Sequence, residues 1–283
     1  MENHIQDDTA VIKIGTDVIT NKEGLLDRKR IGKLVDQIIQ IRQRFPKLLI
    51  VTSGAMGAGR AAYHRSKGLN ETVAEKQKYS AVGQGPLMDS YRHFLKKKGA
   101  LCSQHLLTRM DFTSRKHYEN TRRALREILE EPVTTIPIIN ENDTVATEEL
   151  TFGDNDKLAG YVARMMRARL LVLLTTKKGL LADVDKPESL IRHIDPWKDD
   201  WSQYIRKETT PNGTGGMGGK CCAAAKVARH RSYAVIADGT ERQVLKHMIL
   251  EKKRMGTLFS LDGEEEPWAK IHQIQHPGSE KKC

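Results

Sequence analysis

The chain has 283 residues, 39% of them hydrophobic and 29% charged, and its 47 basic against 36 acidic residues leave a net charge of +11. That length holds one large α/β domain or two modest ones with a real core, and an aromatic content of only 5% leaves the interior to aliphatic packing. The amino terminus, "MENHIQDDTA", has no apolar signal core and no run of about 18 apolar residues occurs anywhere, so secretion and membrane spanning are not expected and a cytoplasmic protein is.

In chain order, "AVIKIG" (10–15) reads as a buried strand. Asp27 is placed to cap a following helix in which Ile31, Leu34, Val35, Ile38 and Ile39 recur at helical spacing. "LLIVTSG" (48–54) is a second strand ending in small residues. A long helix is expected over about 73–98, a strand at "ALCSQHLL" (100–107), a helix over 114–130 and a strand at "TTIPIIN" (134–140). "DKLAGYVARMMRA" (156–168) is a helix feeding the strand "LLVLLT" (170–175). A polar segment over 183–213, a glycine cluster, a helix near 219–231, the strand "YAVIAD" (233–238) and a helix near 241–250 complete the pattern. The tail from 261 to 283 is polar and reads as poorly ordered.

Strand–helix alternation of this kind implies an α/β protein with a mainly parallel sheet between helix layers. Ligands in such folds sit at the carboxyl ends of the strands. Gly15, Ser53-Gly54 and Asn140 stand at three of those ends.

The basic residues fall in several segments, such as "RKRIGK" (28–33), "KKK" (96–98) and "RKHYENTRRALR" (115–126), with few aromatics between them. They read as solvated helix faces, and a nucleic-acid partner is not expected. Cys102, Cys221, Cys222 and Cys283 lack metal-site spacing and read as reduced thiols.

Lys13 lies between Ile12 and Ile14. Either its strand is an edge with the ammonium in solvent, or the ammonium meets a counter-charge or an anion at the strand end; the residues alone leave both open. Gly15, just beyond, lets backbone N–H groups approach a phosphate. "TSGAMGAGR" (52–60) offers N–H groups and the Ser53 hydroxyl to an anion, or is a tight turn with Ser53 as a helix cap. "NGTGGMGGK" (212–220) puts five glycines in seven residues ahead of Lys220, which favours an anion-binding loop. It is not a Walker A loop, because Thr214 and Cys221 stand where that motif needs glycine and a hydroxyl residue. The acidic stretch "NENDTVATEELTFGDNDKLAG" (140–160) is unusual in so basic a chain. Asp154 can cap the helix that begins near Asn155, with Asp156 in its first turn. Taken together, two lysines, two small-residue loops and a carboxylate cluster suggest phosphoryl transfer.

The strings "VIKIGTDVIT", "VTSGAMGAGR", "AVGQGPLMDSY", "NENDTVAT", "FGDNDKLAG", "LLVLLTTKKGL", "GTGGMGGK" and "GTLF" together resemble the glutamate 5-kinases of the amino acid kinase family, from about residue 10 to Phe259. The resemblance implies a three-layer α/β/α sandwich over residues 8–260, with a glutamate-binding amino-terminal half and an ATP-binding carboxy-terminal half. It implies transfer of phosphate from ATP with Mg2+ to the γ-carboxylate of L-glutamate, the first step toward proline. Ser53, Gly54, Asp143 and Asn155 match substrate-binding positions, and Lys13, Lys220 and Asp156 match catalytic ones. Lys13, Gly15, Thr175, Thr176 and the loop Thr214, Gly215, Gly216, Met217, Gly218, Gly219 and Lys220 match ATP-binding positions. Homo-oligomers are implied, and feedback inhibition by proline belongs to the same family pattern. Many bacterial members carry a carboxy-terminal PUA domain, for which this sequence leaves no room.

Three positions depart from the family's pattern: Asp17 where serine or threonine is usual, Thr176 with Lys177-Lys178 where aspartate commonly begins, and Gly219 in place of threonine. They keep two alternatives open: a relative acting on another small acid, and a catalytically weakened glutamate-binding regulatory protein.

Overall fold

The computed structural model describes residues 7–65, 71–145, 154–205, 216–261 and 271. β1 (Asp7–Ile14) runs into one helical turn, α1 (Thr16–Ile19), and then α2 (Arg28–Ile41), which Asp27 caps by accepting from the Arg30 N–H. β2 (Lys47–Thr52) is followed by α3 (Ala55–Ala62) and the long α4 (Val73–Lys97). β3 (Leu101–Leu107), α5 (Met110–Thr113), α6 (Arg115–Glu130) and β4 (Thr135–Glu141) come next. α7 (Asn155–Met165) feeds β5 (Ala168–Thr175). β6 (His193–Ile194), α8 (Met217–Ala228), β7 (Tyr233–Asp238), α9 (Val244–Ile249) and β8 (Thr257–Phe259) complete the set.

The strands form one sheet in the order β3-β4-β2-β1-β5-β7-β8-β6, parallel throughout except where β7 meets β8. β1 is therefore central, which removes the edge-strand reading of Lys13. Helices cover both faces, so strands such as Leu170–Leu174 are near-continuous apolar runs. Period-two alternation divides the core. Ala10, Ile12, Ile14, Leu48 and Ile50 face the layer of α2, α4 and α9, whereas Val11, Leu49, Val51, Leu171 and Leu173 face that of α7 and α8.

The expected strands and longer helices are all present, with ends shifted by a few residues. The small-residue run after β2 is a helix of its own, α3, rather than only a turn. The polar tail departs from expectation at Ile271, which is 1% exposed and packed in the core, with the Arg44 guanidinium donating to its carbonyl. No helix among the described residues is long and apolar enough to cross a membrane.

Candidate active site

Lys13 follows from the alternation just described. It lies two residues beyond Val11, so its side chain enters the layer of α7 and α8 at the carboxyl end of the central strand. There Asp156, in the first turn of α7, and Lys220, in the first turn of α8, converge on it. Lys13 Nζ is 2.6 Å from Asp156 Oδ1, and Lys220 Nζ is 2.9 Å from Asp156 Oδ2. All three are buried, Asp156 completely. One carboxylate thus spans two ammonium groups, and the α7 N-terminus adds its partial positive charge. Burial pushes the Asp156 carboxyl up, but Lys13 and Lys220 outweigh it and hold the group below the usual range.

Asp154 caps α7 by accepting from the Asp156 N–H at 2.8 Å. Burial, then the Asp156 charge beside it, push its carboxyl up to about 6 against the pull of Lys13 and Lys220. The carboxylate also explains Gly219. A Cβ at that position would lie 2.6 Å from Asp154 Oδ2, so the threonine usual in the glutamate 5-kinase pattern would displace it. Gly216, Met217, Gly218 and Gly219 open α8 without a side-chain cap, leaving its first N–H groups available to an anion. Thr214 and Gly215 lie outside the described residues.

A second cluster borders the first. Asn155 Nδ2 donates to the Thr52 carbonyl, to Ser53 Oγ and to Asn140 Oδ1, each at 3.0 Å. Ser53 therefore meets Asn155 and does not cap α3; the cap is Gly54, at φ 102, a left-handed conformation that favours glycine. Asp143 lies just past β4, and its Oδ2 accepts from Ser80 Oγ of α4 at 2.5 Å. Burial raises the Asp143 carboxyl, with the Ser80 hydroxyl pulling it back.

The structure brings Lys13, Lys220 and Asp156 into direct contact, and joins Ser53 to Asn155. Gly15 sits at the end of β1, its N–H donating to the Leu174 carbonyl of the neighbouring strand. Thr175 ends that strand half-buried, while Thr176, Lys177 and Lys178 beyond it are exposed. Asp17 is also exposed. Ser80 and Gln84 went unrecognised in the sequence, although two polar residues four apart on the apolar face of a helix carry a signal: α4 otherwise buries Leu87, Met88, Tyr91 and Leu95 there.

The model of the amino acid kinase family matches residues 8–238. The chain belongs to that family. This amino acid kinase is 36% identical over 240 residues to the glutamate 5-kinase of Bacteroides thetaiotaomicron, an alignment covering 84% of this chain and 66% of that one. It is also 36% identical over 252 residues to the glutamate 5-kinase of Clostridium acetobutylicum, covering 88% and 93%. The chain therefore spans just under two thirds of the Bacteroides relative and nearly all of the Clostridium one. Among solved structures, carbamate kinase from Giardia lamblia bound to AMP-PNP shares the fold, with a TM-score of 0.63 at 16% identity over 90% of this chain and 99% of that one.

Proposed function

We propose that this amino acid kinase transfers the γ-phosphoryl group of ATP to the side-chain carboxylate of L-glutamate, giving glutamyl 5-phosphate and ADP, the first step of proline biosynthesis. The observation that carries the reading is the pair of buried lysines held by Asp156, between an N–H-rich helix start and a cluster of amides and carboxylates. The relatives' shared name supports the choice of acid.

The chemistry needs no general base. A glutamate carboxylate has a pKa of roughly 4.3 and is already ionised at neutral pH. One of its oxygens attacks the γ-phosphorus, and the bond from that phosphorus to the β–γ bridging oxygen breaks, leaving ADP. The obstacle is repulsion between anions. Lys13 and Lys220 relieve it, and Asp156 keeps both ammonium groups in place without reorganisation as charge develops. The α8 N–H groups take phosphate oxygens, Gly15 lets the chain approach them, and Thr175 and Thr176 belong to the nucleotide side. Ser53 and Asn155 face the acid, with the backbone at Gly54, and Asp143 faces its α-ammonium.

Mg2+ fits as an ion that arrives with the nucleotide. No group of three acidic, histidine or cysteine side chains among the described residues forms a cage, and Mg2+ commonly keeps water and phosphate oxygens with one or two carboxylates. Asp156 is engaged by two lysines, so Asp154 is the carboxylate that would hold the ion. When bound, Mg2+ neutralises charge on the phosphates. A cytoplasmic enzyme, homo-oligomeric and open to feedback inhibition by proline, belongs to the same reading.

The test is ADP release from ATP and Mg2+ in the presence of glutamate, with hydroxylamine to trap the acyl phosphate as a hydroxamate. Hydroxamate with glutamate, and none with aspartate or acetylglutamate, is expected. Product with another acid in place of glutamate would assign a different acceptor. Glutamate binding without product would assign a regulatory role.

A further inference from the structure

Four amide and hydroxyl side chains form a continuous chain from α4 to the end of β2. Gln84 Oε1 accepts from Asn140 Nδ2 at 3.0 Å, Asn140 Oδ1 accepts from Asn155 Nδ2, and Asn155 Nδ2 also reaches Ser53 Oγ. The direction of each amide is set by backbone groups that cannot change role. The Glu141 N–H donates to Asn140 Oδ1 at 2.9 Å, so the other end of Asn140, a donor, must face Gln84. The Thr52 carbonyl needs the donor end of Asn155, so the Asn155 oxygen must face away.

Gln84 can meet the Asn140 donor only with its own oxygen. Its Nε2 is then left buried without a partner among the described residues, as is Asn155 Oδ1. Gln84 is only 8% exposed. A buried N–H without an acceptor is destabilising, and a methionine of similar volume would avoid it. That methionine would in turn leave the buried Asn140 donor without the Gln84 acceptor, so the exchange is close to neutral in stability, and what the glutamine adds is a second hold on Asn140 and, through it, on Asn155. One turn earlier on the same face, Ser80 holds Asp143. The end of β4, at Asn140, and the residues just beyond it, at Asp143, thus both hang from α4. The helix can come this close because Gly83, between the two anchors, lies against α3: a Cβ there would fall 1.8 Å from the Ala55 carbonyl oxygen.

We infer that Gln84, with Ser80, is a positioning residue for acid binding: it holds in place the Asn140 and Asn155 amides, whose donor and acceptor ends the backbone has already set, where they face the substrate. The inference rests on the glutamate reading above and assigns neither residue a contact with the phosphates.

The variant Gln84→Met removes the oxygen that anchors Asn140 and the unpartnered N–H together. Its KM for glutamate is expected to rise tenfold or more, with KM for ATP within about twofold and the thermal midpoint little changed. An unchanged glutamate KM overturns the inference. So does a fall in thermal midpoint with both KM values moving together, which is the behaviour of a merely structural residue. If Gln84→Met does not fold, Ser80→Ala decides: a severalfold rise in glutamate KM alone supports the inference, and an unchanged value overturns it. Wild-type protein without glutamate turnover would sink the glutamate reading instead. The side-chain amide exchange rates of Asn140 and Asn155, measured by NMR, then carry the test: faster exchange in Gln84→Met supports the inference, and equal rates overturn it.

Discussion

Replacing Asp156 by asparagine keeps the shape of the side chain and removes the one charge that lies between Lys13 and Lys220. In the native protein each ammonium is within 3 Å of a carboxylate oxygen, and the lysines are only 4% and 7% exposed. The variant leaves two cations buried in contact with a neutral amide. Removing one partner of a buried ion pair typically destabilises by about 3–5 kcal/mol, because the remaining charge has lost both water and its counter-ion. Two ammonium groups are stranded here, so the upper part of that range is expected, against a total stability of about 5–15 kcal/mol for a domain. Urea unfolding at pH 7 of the wild type, of Asp156→Asn, and of Asp156→Asn combined with Lys13→Met measures it. Removing one stranded cation should return at least about 1 kcal/mol, a coupling expected of residues in direct contact. A single variant within about 1 kcal/mol of wild type, or a double variant no more stable than the single one, would refute the account of the site as a carboxylate holding two lysines.

Lys220→Ala leaves Asp156 paired with Lys13, and should lower turnover by about 10²–10³ while glutamate still binds by calorimetry; near-normal turnover would remove Lys220 from the phosphate role. Asp154→Asn keeps a helix cap and deletes a carboxyl whose folded pKa, about 6, lies above its ordinary value of 3.8. A raised acid stabilises the fold below its unfolded pKa and loses that contribution as pH rises from 3.8 to about 6, so the variant should be more stable than wild type at pH 7 to 8 and indistinguishable below about pH 4 in unfolding measurements. Ile271→Ala should cost about 2–5 kcal/mol in urea unfolding, since Ile271 is packed in the core; a cost below about 0.5 kcal/mol would mean that its contact is not maintained in solution.

The sheet and the helix layers were legible because they rest on short-range periodicity. "LLVLLT" and "YAVIAD" can be little else than strands covered on both faces, and the spacing of Ile31, Leu34, Val35 and Ile38 is that of one helix face. β6 and β8 escaped because two and three residues carry no period. Lys13 was ambiguous because an isolated strand does not reveal its place in the sheet order; once β1 is central, alternation alone sends the ammonium toward α7. Ser80 and Gln84 were missed for a related reason. Their partners are 63 and 56 residues away, and only the tertiary placement of α4 beside the end of β4 brings those pairs together. Ile271 was hidden by the charged and polar residues around it, which outweigh one buried side chain in any window average.

The charges at the site answer why a chain of +11 gathers carboxylates where anions must react. Lys13, Lys220 and Asp156 sum to +1 among themselves, and an ionised Asp154 brings the sum to zero. A neutral site has no net attraction for a nucleotide and a second anion, yet the pairing is not wasted. Ammonium groups on long side chains, free in solvent, are screened and must be reordered as charge develops; the same groups fixed by Asp156 in a buried site are neither. The remaining deficit falls to Asp154, whose raised pKa marks a carboxylate poorly matched to its surroundings while it stands as a bare anion. A proton or a divalent ion on that group returns the site to a positive balance at the moment a nucleotide is present. Gly219 belongs to the same arrangement, because only the absence of a side chain there leaves Asp154 the room to face the start of α8. Placement of charge, rather than its quantity, is what these residues contribute.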